Sequence, residues 1–250
     1  MRGMNGLPDE TPTPQAVLED WAKDQQRRLG PGRVPWRIRL EQARIMLANR
    51  LQRSATRVLD RELDTSVSAR DPEPGHPERN GYAPSPWHVL PRALRYIGVS
   101  DRDVFVDFGC GKGRVVHQAA RRPFRRVVGV EISPVLAEAA RSGLAARRHR
   151  HRCRDVEIVA ADVTAFRVPD DLTVAYFYSP FRGKTFESLL RRIVESIERN
   201  PRRVRLIYVS LPEETRSTIL ATGRFRLLKE QRSRLFDIAT PAQAAIFETR

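Results

Sequence analysis

The sequence predicts a doubly wound α/β fold, in which a seven-stranded, mostly parallel sheet ends in an antiparallel closing strand and an N-terminal helical extension precedes it. From about residue 82 onward, short β-rich runs alternate with helical patterns, which is typical of parallel strands joined by helices. A glycine-rich turn follows the first of these runs. At 250 residues with 40% hydrophobic composition, the chain is long enough for one such domain and an extension.

Before that domain, two segments differ in composition. Apolar residues recur three or four apart over residues 36–63, which predicts an amphipathic helix whose other face carries arginines. Those arginines indicate either a basic face along a substrate or the solvated side of the helix. Residues 64–81 contain prolines, glycines and charges without periodicity. We therefore predict an arm and basic helix over 1–63, a linker or mobile loop over 64–81, and the main domain over 82–250.

The main domain is predicted to contain five helices and seven strands. Helices are expected at about 86–98, 113–122, 134–148, 184–199 and 213–222. Strands are expected at 104–108, 126–132, 156–161, 172–178, 203–210, 225–231 and 243–249. The last two strands are expected to form an antiparallel, hairpin-like pair.

Neither export nor membrane insertion is expected from the composition. No segment approaches the roughly 20 uninterrupted apolar residues that span a bilayer, and the N-terminus lacks the apolar region of a signal peptide. The two cysteines, Cys110 and Cys153, lie in different predicted elements, so neither a disulfide framework nor a metal site is predicted. These features favour a cytoplasmic protein.

The formal net charge of +15 permits two interpretations. A strongly basic chain is typical of proteins with nucleic acid or another acidic partner. However, all but four of the 45 basic residues are arginine, a bias that a GC-rich genome also produces. A partner of this kind and a merely solvated basic surface therefore both remain open.

The first strand and its turn, VFVDFGCGKGR at 104–114, indicate a ligand site. Glycines at 109, 111 and 113 permit positive φ and let a ligand approach the backbone. The dinucleotide fingerprint would need a third glycine where Arg114 stands, and the phosphate-loop pattern does not fit either. An acid at Asp107 suits a ligand that presents a cation near the turn, and S-adenosylmethionine carries an α-ammonium, a sulfonium and a ribose.

Two further acids end the second and third predicted strands. Glu131 stands where a carboxylate can accept hydrogen bonds from both ribose hydroxyls, although a nicotinamide cofactor would require the same residue. Asp162 stands where an adenine amino group could be bound. Each acid alone could instead cap the next turn, but three at consecutive strand ends favour a ligand site.

These residues resemble the class I S-adenosylmethionine-dependent methyltransferases, which have a Rossmann-like fold, over roughly residues 82–250. Residues 104–135 also resemble the non-SET histone-lysine methyltransferases and their bacterial relatives. The resemblance implies that Asp107 and the turn of Gly109, Gly111 and Gly113 hold the methionine part of the cofactor. It further implies that Glu131 holds the ribose and Asp162 the adenine.

The acceptor side is expected after the fourth strand. Ser179-Pro180-Phe181 resembles the [DNS]-P-P-[YF] motif of amino-methylating enzymes with one proline missing. In that motif a side-chain oxygen and a backbone carbonyl accept hydrogen bonds from the target NH₂, and the aromatic ring covers the nitrogen. The alternative is a strand-end turn with Phe181 in the core. Upstream, Tyr82 is expected to line the methyl-transfer channel, or else its segment simply starts a helix at Pro86.

We therefore predict an S-adenosylmethionine-dependent methyltransferase that methylates nitrogen on an unidentified acceptor, which could be a protein, a nucleic acid or a small molecule. The alternative is a basic nucleic-acid-binding protein that retains the fold without turnover. A nicotinamide-dependent reductase is disfavoured by the missing glycine at position 114. Cys110 is interpreted as a small side chain that fits its loop, and His117 as a packing or surface histidine.

Overall fold

A computed structural model describes residues 63, 65, 77–231 and 243–250, and all of them belong to one compact unit formed by residues 55–232 and 242–250. The predicted helix over 36–63 lies outside the described residues except for its last position. Most of the predicted linker lies outside them as well. The boundaries of the predicted domains therefore stay predictions.

Seven strands form one sheet, as predicted. They are β1 (Val104–Phe108), β2 (Arg126–Glu131), β3 (Asp155–Ala160), β4 (Val174–Tyr178), β5 (Arg205–Val209), β6 (Phe225–Gln231) and β7 (Ala244–Thr249). Their order across the sheet is β3-β2-β1-β4-β5-β7-β6. The first five strands run parallel, whereas β7 is antiparallel to both of its neighbours, β5 and β6. The predicted mostly parallel sheet with an antiparallel closing strand is confirmed.

Helices cover both faces of this sheet. They are α1 (Val89–Ile97), α2 (Arg114–Ala120), α3 (Pro134–Ala146), α4 (Gly183–Arg199) and α5 (Glu213–Ala221). Side chains of α1, α2 and α3 pack in one hydrophobic cluster, and those of α4 and α5 pack in a second. Successive residues of β1, such as Phe105 and Val106, enter opposite clusters because side chains alternate along a strand. A strand buried on both faces is therefore continuously apolar, which made β1 predictable.

The element bounds agree with the prediction to within three residues at each end. The differences lie at the ends because the last residues of a strand or helix are set by turn hydrogen bonds that periodicity does not report. Within the described part of the chain, no helix combines the length and the apolar character needed to cross a membrane.

His117 on α2 and His151, shortly before β3, form a buried pair. Nδ1 of His117 lies 3.0 Å from Nε2 of His151, and the two side chains are almost fully shielded from solvent. Burial, followed by the charges of His151 and the nearby arginines, lowers the pKa of His117 to about 4. Burial likewise lowers the pKa of His151. His117 is thus a packing residue, and the neutral imidazole is the form that the folded state favours.

This pair predicts a loss of stability in mild acid. The unfolded chain takes up a proton near pH 6.5, whereas folded His117 takes one up only near its pKa of about 4. The contribution of His117 to the free energy of unfolding is therefore complete above pH 6.5, and it falls as the pH decreases from 6.5 toward 4. We expect His117→Gln to flatten this dependence, as measured by urea unfolding between pH 7.5 and 5. His149→Gln, at an exposed neighbour, is the control, and an unchanged slope in His117→Gln would contradict the assignment.

Candidate functional site

A cavity of about 530 Å³ lies at the carboxyl ends of the central strands. Its walls are formed by the ends of β1, β2 and β4, the glycine turn, and the residues just before α1. This is the position at which ligands bind in open α/β sheets. Among the predicted site residues, the walls include Tyr82, Asp107, Gly109, Gly111, Glu131, Asp162, Ser179, Pro180 and Phe181. Gly113 instead begins α2 and packs against Ala140, where an added Cβ would lie 3.0 Å from the Ala140 Cβ.

The glycine turn is closely packed on three sides. The backbone N–H groups of Gly109 and Cys110 both donate to the Val130 carbonyl, at 2.9 and 3.0 Å, which fastens the turn to β2. Gly109 has a φ of +84°, and a Cβ there would lie 2.5 Å from the Cβ of Pro180. Gly111 has a φ of +53°, and its Cβ would lie 2.3 Å from the Tyr82 ring. Both positions thus require glycine for conformation and for space.

Asp107 carries a buried carboxyl group at the end of β1. Its side chain is 3% exposed, and none of the ion pairs found among the described residues involves it. Burial, together with the charge of Glu131, raises the pKa of Asp107 well above its ordinary value. A ligand cation in the cavity would offset this cost, because a buried carboxylate is stable only when it is paired.

Glu131 braces the glycine turn. Its Oε2 accepts from the Gly111 N–H at 2.8 Å, and its Oε1 accepts from the Ser133 N–H at 2.9 Å. Burial raises its pKa, and the backbone hydrogen bonds partly oppose that shift. A carboxylate has about four acceptor positions, so acceptor capacity remains for a ribose hydroxyl.

Asp162 is occupied by protein partners on both oxygens. Its Oδ2 pairs with Arg79 Nη2 at 2.6 Å, and its Oδ1 accepts from the Thr164 N–H and hydroxyl, each at 2.8 Å. Partial burial raises its pKa, but the bonds from Thr164 and the charge of Arg79 outweigh burial and lower it. The residue thus caps its turn, as the alternative interpretation proposed, while its role toward adenine stays a prediction.

Ser179-Pro180-Phe181 forms a tight turn against the glycines. Ser179 has a φ of 41°, a left-handed conformation, and its side chain lies near the Tyr208 hydroxyl, where it partly opposes the rise in the Tyr208 pKa that burial causes. Pro180 packs on Gly109. Phe181 is 5% exposed, its ring contacts those of Phe177 and Phe186, and the residue is also part of the cavity wall. The turn therefore joins the proposed acceptor side directly to the proposed cofactor side.

Residues 77–82, which we call the strap, form part of the cavity wall through residues 79–82. Glu78 Oε2 accepts from the N–H and hydroxyl of Thr185 at 3.0 and 2.6 Å, capping the first turn of α4. Asn80 hydrogen-bonds the Ser179-Pro180-Phe181 turn, which we call the acceptor turn because it is proposed to bind the methyl acceptor. The Tyr82 hydroxyl donates to the Thr65 carbonyl at 2.7 Å. Sequence analysis assigned residues up to 81 to a linker, because these polar residues have no periodicity. Their functional position depends on partners about 100 residues away and could not be found from spacing.

Arg114 is a second residue whose role the sequence analysis missed. Its guanidinium is 4% exposed and donates to the Thr65 hydroxyl and to the Ser85 carbonyl, both at 3.0 Å. It also lies 5.2 Å from the Trp87 ring. Arg114 therefore holds the segment before α1 against the cavity, at the position where a dinucleotide-binding turn would have glycine.

Cys110 fills space within the turn. Its sulfur would lie 2.8 Å from a Cβ at Gly129, so the thiol packs tightly on β2. Burial and the charges of Asp107 and Glu131 raise the pKa of the Cys110 thiol well above its ordinary value. A thiol with a raised pKa is a weak nucleophile at neutral pH, which agrees with the interpretation from sequence.

Comparison with known proteins supports the methyltransferase class that the sequence predicts. The family model of a methyltransferase domain matches residues 105–200. A protein-lysine N-methyltransferase from Saccharolobus islandicus (strain REY15A) is 36% identical over 72 residues, which cover 26% of this chain and 45% of that relative. The chain thus matches less than half the length of that curated relative.

Two solved structures share the fold at low sequence identity. One is an RNA methyltransferase from Salinibacter ruber in complex with S-adenosyl-L-homocysteine, with a TM-score of 0.50 and 23% identity over 67% of this chain and 94% of that chain. The other is a precorrin 8w decarboxylase from Methanobacterium thermoautotrophicum, with a TM-score of 0.51 and 21% identity over 75% and 97% of the two chains.

The fold, the glycine turn and the strand-end acids agree with the methyltransferase-domain match over residues 105–200, and the predicted resemblance is confirmed. S-adenosylmethionine is the cofactor that this resemblance implies. The residues present fit the cofactor. The buried Asp107 carboxylate calls for a cation, and the adjoining turn has no side chains that would displace a ligand from the backbone.

Proposed function

We propose that this chain transfers the methyl group of S-adenosylmethionine to a nitrogen atom, and that a protein lysine is the first acceptor to test. The observation that carries the proposal is the contact of Pro180 with Gly109, because it supports an acceptor site directly beside the proposed cofactor turn. Lysine is favoured because the Saccharolobus relative is a protein-lysine N-methyltransferase. The short motif and the basic surface leave nucleic acids and small molecules as further acceptors to screen.

The chemistry requires positioning more than acid or base groups. S-adenosylmethionine, when bound, supplies a methyl group on a positively charged sulfur. The acceptor nitrogen forms a bond to the methyl carbon as the carbon–sulfur bond breaks, and the sulfur keeps the electron pair. A neutral amine needs no base for this step, and the methylated nitrogen then loses its extra proton to water. A lysine ammonium must lose a proton first.

Five residues contribute to the proposed binding. Asp107 would hold the ammonium of the methionine part, and Glu131 the ribose hydroxyls. Tyr82 and Pro180, which pack on Gly111 and Gly109, would narrow the cavity and exclude water from the reacting atoms. Asp162 would meet the adenine only through the acceptor capacity that Arg79 and Thr164 leave free.

Calorimetric titration with S-adenosylhomocysteine tests the cofactor assignment. We expect micromolar binding to the wild type, no binding of NADH, and affinity at least about 30-fold weaker in Glu131→Ala, because hydrogen bonds to a charged group contribute about 2 kcal/mol. Glu157→Ala, an exposed position on β3, is the matched control and should bind normally. Failure of the wild type to bind would contradict the proposed function.

A labelled-methyl assay then tests the acceptor. The protein is incubated with labelled S-adenosylmethionine and, separately, with a protein fraction, an RNA fraction and a small-molecule extract. Label on lysine of the protein fraction is the expected result. Cofactor binding without transfer to any fraction would favour the second candidate, a basic nucleic-acid-binding protein without turnover.

One observation supports a polyanionic partner beside the enzymatic proposal. The segment 147–154 contains five arginines, and charges from this segment and from Arg121 contribute to the lowered pKa of His117 and His151. This segment precedes β3 and so lies at the end of the sheet opposite to the cavity. Contacts from this segment to phosphates would anchor a nucleic acid without contacting the nitrogen that is methylated.

Both cysteines are buried and unbridged, which suits the cytoplasmic setting that we propose.

A further inference from the structure

We infer that Asn80 of the strap is an acceptor-binding residue, whose carboxamide oxygen accepts a hydrogen bond from the nitrogen to be methylated. It supplies the side-chain oxygen that the shortened Ser179-Pro180-Phe181 turn does not present. The site is thereby selective for nitrogen atoms that carry two hydrogens, such as primary amines, amides and exocyclic amino groups. This inference rests on the proposed methyl transfer to nitrogen.

Asn80 is attached to the acceptor turn through two groups. Its backbone N–H donates to the Pro180 carbonyl at 3.0 Å, and its side-chain Nδ2 donates to the Ser179 carbonyl. A carbonyl only accepts hydrogen bonds, so the amide nitrogen, and not the oxygen, must face Ser179. This fixes the orientation of the carboxamide. Oδ1 is then the carboxamide atom that does not face the Ser179 carbonyl. Asn80 is an exposed residue and lines the cavity.

Ser179 itself is oriented away from this role. In the related motif its side chain would supply the oxygen, but here the Ser179 side chain lies near the Tyr208 hydroxyl on β5, where it partly opposes the rise in the Tyr208 pKa that burial causes. The left-handed backbone of Ser179, with a φ of 41°, accompanies this direction. The Tyr208 hydroxyl also lies 3.5 Å from the Phe181 carbonyl, within the same buried network. The Ser179 side chain therefore lies toward Tyr208, and the Asn80 carboxamide is a second polar group that lines the cavity beside the turn.

The strap holds Asn80 in place from both sides. On one side, Glu78 caps α4 through Thr185, and Arg79 pairs with Asp162 at 2.6 Å. On the other side, Tyr82 covers Gly111 and bonds Thr65. Asn80 lies between these anchors and directly on Pro180, which contacts Gly109 of the cofactor turn. A fixed side chain loses little freedom on binding, as a residue that orients substrate requires.

The chemistry of the oxygens defines the acceptor. Oδ1 of Asn80 is an acceptor only, and each carbonyl of the turn retains a lone pair beyond the one that Asn80 uses. Two such oxygens bind two hydrogens of one nitrogen and so hold its lone pair in a single direction. A nitrogen without hydrogens, such as a ring nitrogen, could not pair with these oxygens and would displace the water that otherwise hydrogen-bonds them.

The test compares Asn80→Ala with Glu78→Gln on the acceptor found in the labelled-methyl screen. Asn80→Ala should lower kcat/KM for the acceptor by about 30-fold, while the dissociation constant for S-adenosylhomocysteine stays within twofold. Glu78→Gln keeps an oxygen that can accept from Thr185, so it weakens a strap anchor while the Asn80 carboxamide is retained. It should lower the melting temperature, and it should lower kcat/KM for the acceptor far less than Asn80→Ala does. Glu187→Gln, at an exposed position on α4, is the control that should leave both quantities unchanged.

Two results would overturn the inference. Equal or higher kcat/KM in Asn80→Ala would show that Asn80 does not assist the acceptor. Parallel losses of acceptor and cofactor affinity in both variants would show that Asn80 only anchors the strap. If the wild type binds S-adenosylhomocysteine but transfers no methyl group, the proposed function fails separately.

A binding measurement addresses Asn80 without turnover. In the S-adenosylhomocysteine-loaded protein, the ¹⁵N side-chain signal of Asn80, identified by its loss in Asn80→Ala, should shift when propylamine is added. Trimethylamine, which has a similar size but fewer hydrogens on nitrogen, should shift it far less. Equal responses to the two amines, or none to either, would contradict the selectivity.

Discussion

Asp107→Asn is expected to abolish binding of S-adenosylhomocysteine and at the same time to stabilise the ligand-free protein. The buried carboxylate at the end of β1 has no ion pair among the described residues, and burial raises its pKa. Asparagine has almost the same shape but no charge to desolvate, so we expect a gain of about 1–2 kcal/mol in the free energy of unfolding. For a chain of this size, that corresponds to an increase of about 2–8 °C in the melting temperature.

The effect has a defined pH dependence. Between the unfolded pKa of Asp107, near 3.8, and its raised folded pKa, the folded state binds more protons than the unfolded state. The contribution of Asp107 to stability therefore becomes less favourable as the pH rises through this window, and the cost is complete above the folded pKa. Cofactor binding has the opposite preference, because an ammonium pairs with the ionised form. Affinity for S-adenosylhomocysteine should consequently weaken as the pH falls through that same folded pKa.

Thermal unfolding and calorimetry over a range of pH values measure both effects. The matched control is Asp101→Asn, at an exposed position in the turn before β1, which should change neither quantity. If Asp107→Asn bound the ligand normally, Asp107 could not be the partner of its ammonium. If the variant were less stable than the wild type at pH 8, the carboxylate would have a stabilising partner in the folded protein.

The parts of the fold that sequence predicted are those set by local pattern. β1 is continuously apolar because both of its faces are covered, and the turn after it needs glycines for positive φ at Gly109 and Gly111. Glu131 could be placed at a strand end by its position after an apolar run. Each of these features is encoded within a few neighbouring residues, so periodicity and composition reveal it.

The parts that sequence missed are set by contacts between distant residues. Arg79 and Asn80 belong to a polar, proline-bearing segment that lacks periodicity, and their partners are Asp162 and the turn at Ser179. Arg114 was read only as the absence of a glycine, whereas the structure shows it holding Thr65 and Ser85. A polar residue that bonds across 80 to 100 positions gives no local signal, and the acceptor side of the site is built largely from such residues.

The contact between the two halves of the site predicts a large effect for Gly109→Ala. The added methyl group would lie 2.5 Å from the Pro180 Cβ, and the φ of +84° disfavours any residue with a Cβ. The conformational strain costs about 1–2 kcal/mol and the overpacking about 1–3 kcal/mol. Relieving the overlap must move Pro180 and the turn carbonyls away from the cofactor turn. Since a displacement of about 1 Å can cost about 100-fold in rate, we expect methyl transfer to fall by at least that factor.

A Gly223→Ala variant separates the effect of backbone strain from the effect of the Gly109–Pro180 contact. Gly223 also has a positive φ, of +65°, but nothing lies within 4 Å of a Cβ built there. It should lose about 1–2 kcal/mol of stability through strain alone and keep normal methyl transfer and S-adenosylhomocysteine affinity. The difference between the two variants therefore isolates the Gly109–Pro180 contact. If both variants lost stability equally and both retained activity, the cofactor and acceptor sides would be independent, and the contact that carries the proposed function would have no mechanistic role.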